Sequence, residues 1–245
     1  MKVIPQVTKQ WLGSIPLPEK TDSYSPISHV GLLDFVEKEI NNASLNIKGS
    51  SINSTNDGNK IIARWDIDGG NPDIGNRIYV RNSYDKSASV ALVAGNLAWI
   101  CSNGMVVGDI VYTRKHTGTV WLELIKEFEK VLEYLDINLR KSIQAKQELE
   151  QAPLINPIDQ ASHMLGHLFY KEEIITSVQL NEMKRELSKS SYGFKPINSP
   201  EFTLWDFYNA GTQALKRTHP SDYLEAHSDF HKYMMDYAIQ EAVYV

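Results

Sequence analysis

NRIYVRNSYDKSASVALVAGNLAWICSNGMVVGDIVYTRKHTG (residues 76–118) carries the densest β-strand signal in the chain. At its start, Arg77, Tyr79 and Arg81 alternate with two apolar residues. Period-two alternation predicts a strand with one buried face. The opposite face presents two guanidinium groups around an aromatic ring. This chemistry suits phosphates and bases, although the same pattern is also typical of a solvated strand face.

Other segments around this strand also have β character. Two turn signals separate them: Asp57-Gly58 and Asn103-Gly104 both lie between apolar runs, and such pairs tolerate the positive φ angles of a tight hairpin. A loop is predicted over residues 82–87, where turn-forming residues cluster. Further strands are predicted at 44–52, 60–67, 88–94 and 110–116.

Helical periodicity takes over after the strands. Thr119 is a candidate N-cap for a helix of about 30 residues, and apolar side chains recur along it to Leu149. This helix either packs across the sheet or contacts another subunit. We therefore expect an α+β fold, in which an antiparallel hairpin sheet of β-β-β-α type is packed by a long helix. The predicted divisions are an extended arm (1–26), this core (27–150) and a helical C-terminal region (151–245).

The charge of the chain is unevenly distributed. The 245 residues have a formal net charge of −5, which argues against a bulk electrostatic nucleic-acid binder. Residues 76–118, however, hold five basic and two acidic side chains, a net charge of +3. The chain shows neither a signal peptide nor an apolar run of membrane-spanning length, and its single cysteine, Cys101, excludes an internal disulfide. These features lead us to expect a protein of the cytoplasm.

Catalytic and metal-binding signatures are weak. Two pairs of histidines at i,i+4 spacing would bind zinc or iron only if they met in space, and otherwise they are ordinary helix histidines. The acidic segment 66–73 resembles a calcium loop, but Pro72 interrupts it and the closing Glu is missing. The chain also has no nucleotide-binding glycine loop, and we expect neither an enzyme nor a cofactor. The histidine pairs are His163 with His167 and His227 with His231.

Several short segments, taken in order, resemble a phage and plasmid protein family classed as a domain of unknown function. The likeness spans about residues 76–215, and each segment is weak alone but more specific as an ordered set. Tyr84 departs from the family, which usually has His there, so a metal or acid–base role at that position is in doubt. The segments are RNSYDKS (81–87), CSNGM (101–105), RKHT (114–117) and TLWDFYNAGT (203–212).

The order of strands and long helix also resembles, by fold analogy, the core of phage single-strand annealing recombinases. The resemblance implies a homo-oligomeric phage protein in the host cytoplasm that binds single-stranded DNA without a cofactor. The alternative is a non-enzymatic accessory protein that binds a phage or host protein through its acidic C-terminal half. The residues expected to bind nucleic acid are Arg77, Tyr79, Arg81, Tyr84, Lys86, Arg114 and Lys115.

Overall fold

A computed structural model describes residues 5–99, 103–106 and 112–243, and its fold is α+β, as expected. Within these ranges six strands form an antiparallel sheet, and helices precede, follow and cover it. The strands are β1 (Ile47–Ser54), β2 (Lys60–Ile67), β3 (Ile74–Ser83), β4 (Val90–Ala98), β5 (Asn103–Met105) and β6 (Tyr112–Arg114). The helices are α1 (Lys9–Gly13), α2 (His29–Asn42), α3 (Val120–Glu150), α4 (Pro157–Gly166), α5 (Ser177–Ser188), α6 (Leu204–Leu215) and α7 (Tyr223–Val243), with a π-helical turn at His167–Lys171.

The sheet follows the order of the chain. β1, β2, β3 and β4 pair in succession, and β5 and β6 pair with opposite ends of β4. In the β1–β2 hairpin, Gly58 has a φ of +73°, the left-handed conformation that the predicted Asp-Gly turn requires. Arg77 lies opposite Asp66 on β2, and this register places the Asp66 carboxylate beside the Arg77 guanidinium, with which it forms an ion pair.

The predicted Asn103-Gly104 turn is wrong. Both residues lie in β5 and pair with Ala98 and Leu97 of β4, so they form part of a strand and not a turn. A Cβ atom at Gly104 would lie 2.1 Å from the hydroxyl oxygen of Tyr79. Position 104 therefore needs glycine because a tyrosine side chain approaches the strand closely, and not because of a turn.

One face of the sheet packs against α2 and α3. The apolar stripe of α2, which includes Leu32 and Val36, and that of α3, which includes Leu124 and Phe128, form one core with the strands. Ser28 caps α2, because its Oγ accepts a hydrogen bond from the backbone N–H of Gly31. The prediction that the long helix packs across the sheet is confirmed.

The C-terminal helices cover the other face. α6 is buried along almost its whole length and forms a second core with α3, α4, α5 and α7. Tyr223 and Leu224, at the start of α7, pack against Tyr79 and Val93 on the sheet. The sheet is therefore the middle layer of three, and both of its faces meet helices.

The N-terminal arm also belongs to this body. It contains the short helix α1, whose Leu12 is buried in the α2–α3 core, and Gln6 bridges to Asn53 on β1. The described part of the arm is thus not fully extended, and it packs on the protein's own core. No helix in the described ranges is long and apolar enough to cross a membrane.

Candidate functional site: a basic pocket backed by an asparagine–histidine network

The seven residues expected to bind nucleic acid divide into two groups. Buried in the interior are Arg77, Tyr79, Arg81 and Tyr84. Exposed on the surface are Lys86, Arg114 and Lys115. The sequence therefore predicted the strand correctly, but the expectation that its basic side is exposed, either to bind a ligand or as a solvated face, is wrong because α7 covers it.

Arg77 is part of the interior of the protein. It is fully buried, and its Nε donates a hydrogen bond of 2.5 Å to Oδ1 of Asp66 on the neighbouring strand. Its guanidinium also lies 5.7 Å from the ring centre of Tyr79, whose pKa is raised by burial. A charge placed in this way neutralises a neighbouring carboxylate and cannot meet a phosphate from solvent.

Arg81 joins the sheet to the C-terminal region. Its Nη1 donates to the backbone oxygen of Ser221 and to Oε2 of Glu225, each at 2.5 Å, and its Nε donates to the backbone oxygen of Ser89. Ser221 lies just before α7, and Glu225 lies in the first turn of that helix. We conclude that Arg81 holds that helix against β3 and is not available to a ligand.

Lys86 and Lys115, in contrast, line a single surface pocket of about 320 Å³. Lys86 follows β3 and Lys115 follows β6, so the pairing of β6 with β4 brings the two segments together. The ammonium of Lys86 lies 4.5 Å from the ring centre of Tyr24. The lining residues are Ser23, Tyr24, Lys86, Ser87, Ala88, Ser89, Lys115, His116 and Thr117.

A carboxylate-centred turn positions Lys86. Asp85 accepts hydrogen bonds from the hydroxyls of Ser83 and Ser87 and forms a 2.8 Å ion pair with Lys60. Partial burial opposes ionisation, but the ammonium of Lys60 and these hydroxyls hold the pKa of Asp85 well below its usual value. The turn places Lys86 at a φ of +63°, a strained conformation for any residue other than glycine.

Behind the pocket lies a buried hydrogen-bond network centred on Asn82. Its Nδ2 donates to the backbone oxygen of Ile27 and to Nδ1 of His29, and its Oδ1 accepts from Nε2 of His116 at 2.6 Å. A carbonyl oxygen can only accept, so the bond to Ile27 fixes the orientation of the amide. This orientation assigns one tautomer to each histidine: His116 carries its proton on Nε2, and His29 donates from Nε2 to the backbone oxygen of Gly58.

Both histidines of this network are held neutral. Burial lowers the pKa of His29 to about 4, and it also lowers the pKa of His116. The ring of Tyr84 stacks on His29 at a centroid distance of 3.7 Å, and the Tyr84 hydroxyl accepts from the backbone N–H of His29. Tyr24 donates its hydroxyl to the backbone oxygen of Tyr84. The wall of the pocket is thus rigid and uncharged, and the positive charge comes from the two lysines.

The four histidines at i,i+4 spacing do not build a metal centre. His163 lies on the exposed side of α4 and His167 begins the π-helical turn, with ring centres 4.8 Å apart, whereas His227 and His231 are buried residues of α7. Burial lowers the pKa of His227 to about 3 and that of His231 to about 4. The part of the chain that the structure describes contains no group of three or more His, Cys, Asp or Glu side chains placed to hold one metal ion.

The carboxylates of the acidic segment 66–73 form ion pairs with basic side chains of the same chain. Asp66 pairs with Arg77, Asp68 pairs with Lys48, and Asp73 pairs with Lys146. The three carboxylates thus have three different partners. They form no common site of the kind that a calcium loop provides.

Sequence reasoning missed Tyr24 and His29 as parts of this site. Tyr24 comes from the segment interpreted as an extended arm and His29 from the beginning of the predicted core, and no local pattern links either to Asn82. The segments RNSYDKS and RKHT did contain a signal, because they supply Asn82, Lys86, Lys115 and His116.

A scan against family models, a search of curated proteins and a search of solved structures each found no match to this chain. The function is therefore inferred from the geometry and chemistry of the pocket. Two of the sequence segments named above, RNSYDKS and RKHT, converge on the pocket and its supporting network.

Proposed function

We propose that the protein binds single-stranded nucleic acid, without a cofactor, through the basic pocket. The observation that carries this proposal is that Lys86 and Lys115, from separate segments, line one pocket with no carboxylate among its lining residues. Phosphate oxygens are the natural ligands of two adjacent ammonium groups. The resemblance to phage and plasmid proteins supports a role in the DNA metabolism of a mobile element, in the host cytoplasm.

The shape of the site favours single strands. A concave pocket requires a phosphate that can turn inward, and a flexible single strand allows this turn. A duplex, in contrast, holds its phosphates on a stiff, regular helix. Arg114 adds little, since its guanidinium is paired with Glu123 on α3. The number of phosphates contacted is therefore small, and we expect weak binding with a shallow dependence on salt.

The test is fluorescence anisotropy with a labelled oligothymidylate, single-stranded and in duplex, across a salt series. Two phosphate contacts predict a slope of log K against log[salt] of about −1.4 for the single strand. The double variant Lys86→Glu, Lys115→Glu is expected to abolish binding. The control Lys38→Glu, Lys126→Glu changes the net charge by the same amount on exposed helix surfaces and should bind normally. Equal losses in both variants, or no binding by the wild type, would refute the proposal.

The alternative proposal is a non-enzymatic accessory protein that binds a protein partner. The observation in its favour is the outer side of α3, where large apolar side chains are 40–60% exposed, and the chain's net charge of −5 also favours it. A second copy of the chain covering this surface would fit the expected homo-oligomer, whereas a phage or host protein would fit the accessory role. The side chains are Leu122, Ile125, Tyr134 and Ile137.

Light scattering separates these two partners. A self-association through α3 predicts a mass above the 27.8 kDa of one chain, which falls to 27.8 kDa in the variant Leu122→Glu, Ile137→Glu. A wild-type mass of 27.8 kDa at high protein concentration would contradict the homo-oligomer. The apolar surface would then be assigned to a different protein.

A further inference from the structure

The charge of the basic pocket matches a doubly charged anion. Among the described residues, neither Lys86 nor Lys115 forms an ion pair, so each ammonium is available to a ligand. The nearest carboxylate in the sequence, Asp85, is already paired with Lys60. His116 contributes no charge at neutral pH, because burial lowers its pKa. The pocket therefore offers two positive charges.

Phosphate groups in nucleic acids come in two charge states. An internal phosphodiester carries one negative charge, whereas a terminal phosphomonoester carries about −1.5 to −2 at pH 7 because its second pKa is near 6. Two ammonium groups in one pocket complement the terminal group better than the internal one. The hydroxyls of Ser23 and Thr117 line the same pocket and can donate to the additional oxygen of a monoester.

The aromatic rings at the site are not available to bases. The ammonium of Lys86 lies over the ring of Tyr24, and His29 stacks on the ring of Tyr84. Single-strand binding proteins that hold internal nucleotides depend on base stacking against such rings. Without that stacking, the pocket recognises the phosphate and does not read the base.

The size of the pocket leads to the same conclusion. At about 320 Å³ it lies at the lower end of the range for ligand sites, which is roughly 300–1,000 Å³. Such a volume holds a phosphate with its sugar, but not a run of stacked nucleotides. A pocket of this size accommodates the end of a strand, whereas binding of internal nucleotides requires an open groove.

We propose that the basic pocket binds a phosphomonoester, and that on nucleic acid its ligand is the terminal phosphate of a single strand. This inference rests on the proposed single-strand binding and names the part of the strand that is recognised. Lys86 and Lys115 contact the phosphate, and the network of Asn82 and His116 holds the wall of the pocket in place.

The test compares oligothymidylates that differ only at the terminus, each with a label at the opposite end. The probes carry a 5′-hydroxyl, a 5′-phosphate, a 5′-phosphate capped as its methyl ester, or a 3′-phosphate. We expect a phosphorylated end to bind about tenfold tighter than the hydroxyl end. The methyl ester, which is larger but has one charge fewer, should bind like the hydroxyl. Two competitors are added: thymidine monophosphate tests whether a monoester without a strand binds, and inorganic phosphate tests whether any phosphate anion binds.

The matched variants are Lys86→Met, Lys115→Met and, as control, Lys38→Met, Lys126→Met. The first pair keeps the apolar stems and should remove the preference for the phosphorylated end, whereas the control pair should keep it. Equal affinity of the wild type for all four ends would overturn the inference and leave single-strand binding intact. Absence of binding to every strand would overturn both. Competition by inorganic phosphate at the same concentration as the mononucleotide would also overturn the assignment to a nucleic-acid end.

Discussion

Arg77 and Lys86 belong to the same basic stretch of sequence, yet the structure gives them opposite environments. Arg77 is fully buried and paired with Asp66 between two layers of the protein. Lys86 lies on a surface loop, in a strained backbone conformation, and lines a pocket with Lys115. Two basic residues a few positions apart thus have different roles: the charge of Arg77 stabilises the fold, and the charge of Lys86 is available to a ligand.

This comparison shows what alternation along a strand can and cannot predict. Period-two alternation identifies two faces, but it does not reveal whether the polar one meets water or a second layer. In this chain the second layer is α7, which Arg81 contacts through Glu225. The polar side of β3 is consequently buried, and its two arginines form ion pairs beside tyrosine side chains.

The largest expected effect is on the buried arginine. Arg77→Glu would place a second carboxylate beside Asp66 in the interior, and we expect a loss of about 3–5 kcal/mol in the free energy of unfolding. Urea denaturation followed by circular dichroism measures this loss. The matched control is Arg140→Glu, which also meets an aspartate, Asp136, but on an exposed helix surface. It should cost under about 1 kcal/mol. Equal stability of Arg77→Glu and wild type would contradict a structural role for Arg77.

The network behind the pocket should be the next most sensitive element. Asn82→Ala removes three hydrogen bonds and leaves buried polar atoms of Ile27, His29 and His116 without a partner. We expect the free energy of unfolding to fall by about 2–4 kcal/mol. Asn42→Ala, at an exposed position on α2, serves as the control. A loss at Asn82 no larger than at Asn42 would show that the network does not support the pocket.

Acid should destabilise the protein through its buried histidines. The pKa of His29 is about 4 in the folded chain against 6.5 for a free side chain, so the unfolded chain binds more protons between these values. The contribution of His29 is therefore full above pH 6.5 and is lost as the pH falls to about 4. Between pH 7.5 and pH 5, His29 should account for a loss of about 2 kcal/mol in the free energy of unfolding.

The measurement is the free energy of unfolding at pH 7.5 and pH 5 for the wild type and His29→Gln. The variant should lose less stability on acidification than the wild type, by the share that His29 contributed. His163→Gln, on the exposed side of α4, should show the same pH dependence as the wild type. An unchanged pH dependence in His29→Gln would contradict a buried, neutral His29.

The smallest effect on stability is expected at Lys86, where a substitution should stabilise the protein and not destabilise it. Lys86→Gly relieves the positive φ angle and should raise the free energy of unfolding by up to about 1 kcal/mol, while weakening nucleic-acid binding. Glu173→Gly is the matched control, because Glu173 also has a positive φ, of 53°, away from the pocket. It should show a similar gain in stability with no change in binding. Unchanged binding by Lys86→Gly would exclude Lys86 from the site.

Local patterns predicted most of the fold. Strands β1 to β4, the β1–β2 hairpin and the long helix α3 each follow from spacing within one segment, and the structure confirms them. The covered face was not predictable in this way, because Arg81 and Glu225 meet across the fold from distant positions in the chain. Gly104 misled for a related reason, since the hydroxyl of Tyr79, from a distant strand, lies where a side chain at position 104 would begin.

The candidate site was predicted in part. Lys86 and Lys115 were named because basic residues cluster in the stretch 76–118, and both line the pocket. The buried hydrogen-bond network could not be predicted from sequence, because His29 and His116 come together only through Asn82. Composition and spacing carry no information about a hydrogen bond between three distant segments.

The most direct test of the account is to map the contact surface by NMR, using backbone amide spectra of the isotope-labelled protein titrated with a 5′-phosphorylated oligothymidylate. We predict that the amide signals of residues 86–89 and 115–117 shift progressively with added strand, while those of residues 77–81 do not. The opposite pattern, with shifts concentrated on β3 and α7, would show that the strand reaches the buried basic face, and would contradict the assignment of binding to the pocket.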